Sequence, residues 1–147
     1  MARRVLICGG HRDSRERLAK WAFRVLLREG DLGPVKGMVG IQGCAAGWDT
    51  YGRQFFISIG CRPENGTLLD FPIRAADWSR YGKAAGPIRN RQMRIEGKPD
   101  LIVAGPGRNG TADMIKQGYD NDIPVIDLTK ERWFQEGERR YHALYGQ

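Results

Sequence analysis

Two short β-branched runs in this chain each end in a glycine-rich turn that opens a helical pattern, and this repeated order restricts the fold more than any other feature. The later instance runs Leu101-Ile102-Val103-Ala104 and then Gly105-Pro106-Gly107-Arg108-Asn109-Gly110-Thr111. The earlier one runs Val5-Leu6-Ile7-Cys8 and then Gly9-Gly10-His11-Arg12-Asp13. A strand, a turn and a helix start in that order make an anion-binding cradle. Glycines admit positive φ and a close approach of ligand to backbone, and the first N–H groups of a helix have no acceptor within it. Phosphate is the expected guest. Neither turn has the Gly-Lys-Ser/Thr ending of a P-loop or the three spaced glycines of a dinucleotide fingerprint.

Between these turns, short β-branched runs alternate with helical patterns, which is the signature of β-α-β units and a parallel sheet. Strands are expected at 4–8, 35–41, 67–71, 100–104 and 123–127. Asp13-Ser14-Arg15-Glu16 has the spacing of a capping box, and Leu18, Trp21, Ala22, Val25 and Leu26 continue at helical spacing to Gly30. Gly43-Cys44-Ala45-Ala46-Gly47 leads into a helix with Tyr51, Phe55 and Ile59. Residues 61–66 read as a loop and 82–97 as a basic segment with Arg89, Arg91 and Arg94; helices are expected at 110–118 and 130–144. The fold class is therefore α/β, a Rossmann-like doubly wound sheet of about five mainly parallel strands flanked by helices. Such a sheet binds ligands outside the carboxyl ends of its strands, at a switch in strand order, where these glycine turns lie.

The 147 residues make one domain, 1–147, and no apolar run approaches the ~18 residues of a membrane span. Met1-Ala2-Arg3-Arg4 is charged, but only Val5 to Cys8 follow it as an apolar stretch, too short for a signal peptide. Cys8, Cys44 and Cys61 are odd in number and form no Cys-x-x-Cys pair, which fits a reducing cytoplasm. Cys8 reads as a buried strand residue. His11 and His142 lie far apart without clustered cysteines or carboxylates, so neither a metal nor another cofactor is expected. The net charge is +7, and 18 of the 24 basic residues are arginine, whose planar fork suits phosphate and carboxylate. These arginines are spread along the whole chain. An anionic small ligand, a nucleic acid and a merely solvated basic surface are all consistent with them.

Five ordered blocks give a resemblance to a known family. They are Gly9 to Asp13; Gly43 to Asp49; Phe71-Pro72 through Ala76-Asp77-Trp78; Tyr81 to Asn90; and Pro106 to Met114. Together they resemble the SLOG superfamily, the Rossmann-like fold of the DNA-processing protein DprA and the Lonely Guy phosphoribohydrolases, and within it the small YspA-like branch of bacteria and their phages. The resemblance implies a pocket for a nucleotide or nucleotide-derived molecule such as AMP, an ADP-ribose-like compound or a cyclic nucleotide signal. It also implies pairing through helices beside the pocket, a homodimer or larger assembly. Residues 61–66 and the aromatics Trp133, Phe134, Tyr141 and Tyr145 are candidates for that contact, with packing on their own core the stronger expectation.

In the Lonely Guy motif, Pro-Gly-Gly-x-Gly-Thr-x-x-Glu supplies a phosphate cradle and a catalytic glutamate, and an upstream arginine helps to bind or polarise the substrate. Pro106, Gly107, Gly110 and Thr111 match the cradle, but Arg108 replaces its second glycine and Met114 stands at the glutamate position. Asp113 lies one residue earlier, about 100° away around a helix, and would have to be redirected to act. The ligand-binding candidates are Gly9, Gly10, His11, Arg12, Gly43, Asp49, Trp78, Arg89, Asn90, Pro106, Gly107, Arg108, Asn109, Gly110 and Thr111. Asp113 and Arg89 are the catalytic candidates. Each has a plainer alternative. Asp13 is better read as a helix cap than as a catalyst, and Asp49 as a favourable first-turn carboxylate. Trp48 and Trp78 either stack on a base or close the core, and Arg89 and Arg91 either clamp phosphate or face solvent. The expected function is that of a sensor or sequestering protein, one that suits a phage-encoded role. The alternatives are a phosphoribohydrolase-like N-glycosidic hydrolase of nucleoside monophosphates, whose status as an enzyme the missing glutamate leaves open, and a nucleic-acid-binding protein.

Overall fold

The computed structural model describes residues 3–146. Its centre is a five-stranded sheet formed by β1 (Arg4–Cys8), β2 (Val39–Gln42), β3 (Leu68–Asp70), β4 (Leu101–Ala104) and β5 (Val125–Asp127). Every pairing is parallel and the order is β3-β2-β1-β4-β5, so the chain winds outward from β1 to β3 and then returns to the other side of β1. This is the α/β, Rossmann-like fold expected from the alternation of strands and helices.

The sheet is covered on both faces, and the pleat of β1 shows how. Val5 and Ile7 point to one face with Phe23, Phe55, Phe56, Trp48, Val103 and Phe134, while Leu6 and Cys8 point to the other with Ile41, Met93, Ile102 and Met114. The first face is packed by α1 (Glu16–Arg28), α2 (Trp48–Ser58) and α6 (Arg132–Tyr145); α4 (Ala85–Gly97) and α5 (Asn109–Asp120) lie on the second. No helix is long and apolar enough to cross a membrane among the described residues.

Three local expectations are corrected. The apolar run 35–41 becomes strand only from Val39, because Gly37 sits at φ +77° and Met38 N–H turns back onto Val35 O. The Asp13–Glu16 capping box does not form. Arg15 is the residue preceding α1 and makes no side-chain cap; Asp13 Oδ1 instead accepts from Arg15 N–H at 3.0 Å, an Asx turn outside the helix. Finally, residues before the expected basic segment form a helix of their own, α3 (Ala75–Tyr81), which buries none of its residues.

The C-terminal aromatics largely pack on their own core. Phe134 is fully buried, Trp133 meets Trp21 edge-on at 5.5 Å, and Tyr145 remains exposed. Residues 63–65 of the expected loop form a short 3₁₀ turn.

Candidate functional site

At the switch between β1 and β4 the two glycine turns are tied to each other. Gly10 N–H donates to Pro106 O at 2.7 Å, and Gly105 N–H to Cys8 O at 2.9 Å. Beneath them lies Trp48, fully buried, edge-on to Phe23 at 5.5 Å, with its Nε1 donating to Asp13 Oδ2 at 2.9 Å. A Cβ on Gly9 would stand 2.5 Å from Trp48 Cγ, and one on Gly105 would stand 2.5 Å from Trp48 Cε3 and closer still to Cδ2. These glycines therefore answer to the indole below and not to a left-handed backbone. None of Gly9, Gly10, Gly105, Gly107 and Gly110 has positive φ, contrary to the expectation from sequence. Trp48 belongs to the core.

Above the turns opens a cleft of about 1060 Å³, at the upper end of the size range of small-molecule sites. Its walls include every residue expected to bind ligand: Gly9, Gly10, His11, Arg12, Gly43, Asp49, Trp78, Arg89, Asn90, Pro106, Gly107, Arg108, Asn109, Gly110 and Thr111. Asp113 is not among them. Its carboxylate accepts from Asn90 Nδ2 and from Gln117 Nε2, both at 3.0 Å, so it holds α4 to α5 beside the cleft. Met114 is fully buried. Arg91 is exposed and outside the walls, which leaves Arg89 as the arginine α4 directs inward.

The cleft is unequal in charge. Arg12, Lys83, Arg89 and Arg108 line it and pair with no carboxylate among the described residues. Arg89 Nη1 donates to Gly43 O at 2.6 Å and Phe71 O at 3.3 Å, which fixes the guanidinium across the ends of β2 and β3. At the start of α5, no described residue accepts a hydrogen bond from the backbone N–H of Asn109, Gly110 or Thr111. Those donors and the positive helix end face the same space as the cations.

Asp49 is the contrasting group. Only 5% exposed, it accepts from Ala45 N–H at 3.2 Å in the first turn of α2. Burial pushes its carboxyl up to about 6, against the pull of Arg89 and of the Ala45 and Gly43 amides. Asp13 moves the other way: burial raises it, but hydrogen bonds from Arg15 and Trp48 outweigh that and hold it below the ordinary value. Arg15 continues from Asp13 to Glu138 Oε2 at 2.9 Å, so this ion-pair chain ties the first turn to α6. Burial keeps the Cys8 thiol protonated.

Sequence comparison adds a relative. Over 128 residues the chain is 34% identical to the Gene 61 protein of Mycobacterium phage D29, a match that takes in 86% of this chain and 96% of that protein. The chain belongs to the family of that phage protein. No family model matches it, and no solved structure matches it.

Several wall residues of this family member were not among the binding candidates read from the sequence. Cys44 lines the cleft at φ +62°, held there by Gln42, whose Oε1 accepts from Cys44 N–H at 2.5 Å. His142 reaches the rim from the far end of the chain, with Nε2 3.3 Å from Arg15 Nη1. Pro72, Ile73 and Pro87 complete the wall. Cys44, Pro72, Ile73 and Pro87 lie within the sequence blocks named above, whereas His142 lies outside all of them and only the fold brings it to the cleft.

Proposed function

We propose that the cleft binds a nucleotide or nucleotide-derived small molecule, of the AMP, ADP-ribose-like or cyclic-nucleotide class, with a phosphate at the start of α5. The observation that carries this reading is the set of unaccepted N–H groups of Asn109, Gly110 and Thr111 facing a cleft lined by the unpaired cations Arg12, Lys83, Arg89 and Arg108. A helix start beside one fixed guanidinium, Arg89, and further unpaired cations is a strong combination for a phosphate, because directed donors and net charge act together. Trp78, half exposed in the same wall, offers a face for a base. The likeness of the five sequence blocks to the SLOG superfamily supports the same ligand class. In this reading the protein is a cytoplasmic sensor or sequestering protein, working as a homodimer or larger assembly, and its phage relative suits a role in capturing a host signal.

Native mass spectrometry of freshly purified protein, with calorimetric titration of AMP and ADP-ribose, tests the proposal. A co-purifying nucleotide or a saturable heat supports it; an empty protein that gives no heat with either counts against it. One observation favours a second reading, N-glycosidic hydrolysis: Asp49 is a buried carboxylate on the cleft wall whose pKa of about 6 suits proton transfer. Release of free base from AMP, lost on Asp49→Asn, would establish that activity, and no turnover of any nucleotide would end it.

A further inference from the structure

The connection from β3 to α4 is unlike the rest of the fold. From Arg74 to Ala84 no residue is buried, and α3 makes its principal contacts with the 3₁₀ turn at 82–84 and with α4. Seven residues are too few to hold a helix in water on their own, since isolated helices below ~12–15 residues are marginal. The packing that stabilises α1, α2 and α5 is missing here. What α3 does have is local: Arg74 N–H donates to Asp77 Oδ2 at 2.9 Å, and the Arg80 guanidinium lies 5.2 Å from the centre of the Tyr81 ring.

Yet this weakly held segment carries large apolar surface, part of it toward the cation-lined cleft. Trp78 is 50% exposed and Tyr81 39% exposed, and Trp78 and Lys83 both line the cleft. Both ends are anchored while the middle is free. Phe71 O accepts from Arg89 at one end, and Ala85 is buried at the start of α4 at the other. Between them Gly82 adopts φ 56° and ψ −133°, a conformation that favours glycine, with open space around it.

We infer that residues 72–84 form a lid that closes over the bound ligand, bringing the Trp78 indole onto a planar ring and Lys83 toward its phosphate. This rests on the nucleotide reading above. The occupant follows from charge and shape together: a bare anion would satisfy Lys83 and the cations opposite but leave Trp78 exposed, whereas a nucleotide covers both. Closure orders a segment that the free protein holds loosely, so some of the binding energy is spent on that ordering and ligand release requires the lid to reopen.

Hydrogen–deuterium exchange of the intact protein, read by mass spectrometry, tests this. In the free protein the amides of 72–84 should exchange at least about 100-fold faster than those of 90–97 in α4. Equal protection of the two segments overturns the lid. With AMP, or ADP-ribose if AMP gives no heat, at a concentration that calorimetry shows to be saturating, exchange in 72–84 should slow at least about tenfold. Saturable heat without that slowing overturns the lid and leaves the nucleotide site standing; no heat with either nucleotide overturns both. Trp78 is half exposed on a segment that buries no residue, so Trp78→Ala should lower the melting temperature only slightly while nucleotide affinity falls about tenfold or more. Unchanged affinity in that variant also overturns the inference.

Discussion

Asp49→Asn should make this protein more stable at neutral pH, and the size of the gain follows from the position of the carboxyl. In the folded chain Asp49 keeps its proton up to about pH 6, whereas the ordinary aspartate value is 3.8. Between those limits folding takes up a proton, so the Asp49 contribution to stability is complete below pH 3.8 and is lost as pH rises through 6. Above pH 7 the buried charge costs about 3 kcal/mol, the free energy that corresponds to titration moved from 3.8 to about 6. Asparagine keeps the acceptor for Ala45 N–H and removes the charge. The variant should therefore gain about 2–3 kcal/mol at pH 7.5, a rise of roughly 5–10 °C in Tm for a chain of this length.

The decisive feature is the pH dependence of that difference. At pH 4 the gain should shrink to about 0.5 kcal/mol, because the folded Asp49 is then protonated and only the partial ionisation of the unfolded chain's carboxyl still separates the two. Urea denaturation followed by circular dichroism at pH 4, 5.5 and 7.5 reads it directly. An Asn variant less stable than the parent at pH 7.5, or a gain independent of pH, would refute the reasoning. A carboxylate kept at such a cost beside a cleft fits a part in ligand binding or chemistry.

Gly105→Ala should cost about 3 kcal/mol or more, because Trp48 is held by Phe23 and Phe134 and cannot withdraw from the new Cβ, whereas Gly110→Ala meets open space and should be neutral or stabilising by about 0.5 kcal/mol; thermal melts of the pair compare the two. Trp48→Phe loses the bond to Asp13 along with part of the ring and should lower stability by about 2–4 kcal/mol, measured in urea, and a loss below 1 kcal/mol would mean the Asp13 bond adds nothing. Arg108→Ala, exposed and unpaired, should leave the melting temperature unchanged but weaken AMP binding about tenfold in calorimetry, with a shallower salt dependence.

The strand ends and glycine turns were legible because the sheet's apolar runs stop sharply at glycine, and a parallel sheet brings all those stops to one edge. Less legible was why each glycine is there. Gly9 and Gly105 are dictated by Trp48, which lies 39 residues beyond the first and 57 before the second, so the constraint exists only after folding. The helix α3 was missed for a related reason: with no buried residue it has no apolar stripe, and periodicity detects only faces that pack. Val35 to Met38 looked like strand from composition, and the left-handed Gly37 overrode it. Among the carboxylates, with Met114 in the core Asp113 faces Asn90 and Gln117, while Asp13 and Asp49 line the cleft.

The return of the chain across β1 brings the starts of α2 and α5 to one cleft, and the two are not equivalent. Asp49 lies in the first turn of α2, so that helix's positive end is already faced by a carboxylate of its own chain. The first turn of α5 contains no acidic residue, and Arg108 directly precedes it. A second anion at α2 would meet a like charge in a poorly solvated position, while one at α5 meets only donors and cations. On the proposed reading, this charge pattern directs an anion to the end near α5 and favours hydrogen bonds to neutral hydroxyl groups near α2. A phosphorylated sugar offers both kinds of group in one molecule, which a free phosphate does not.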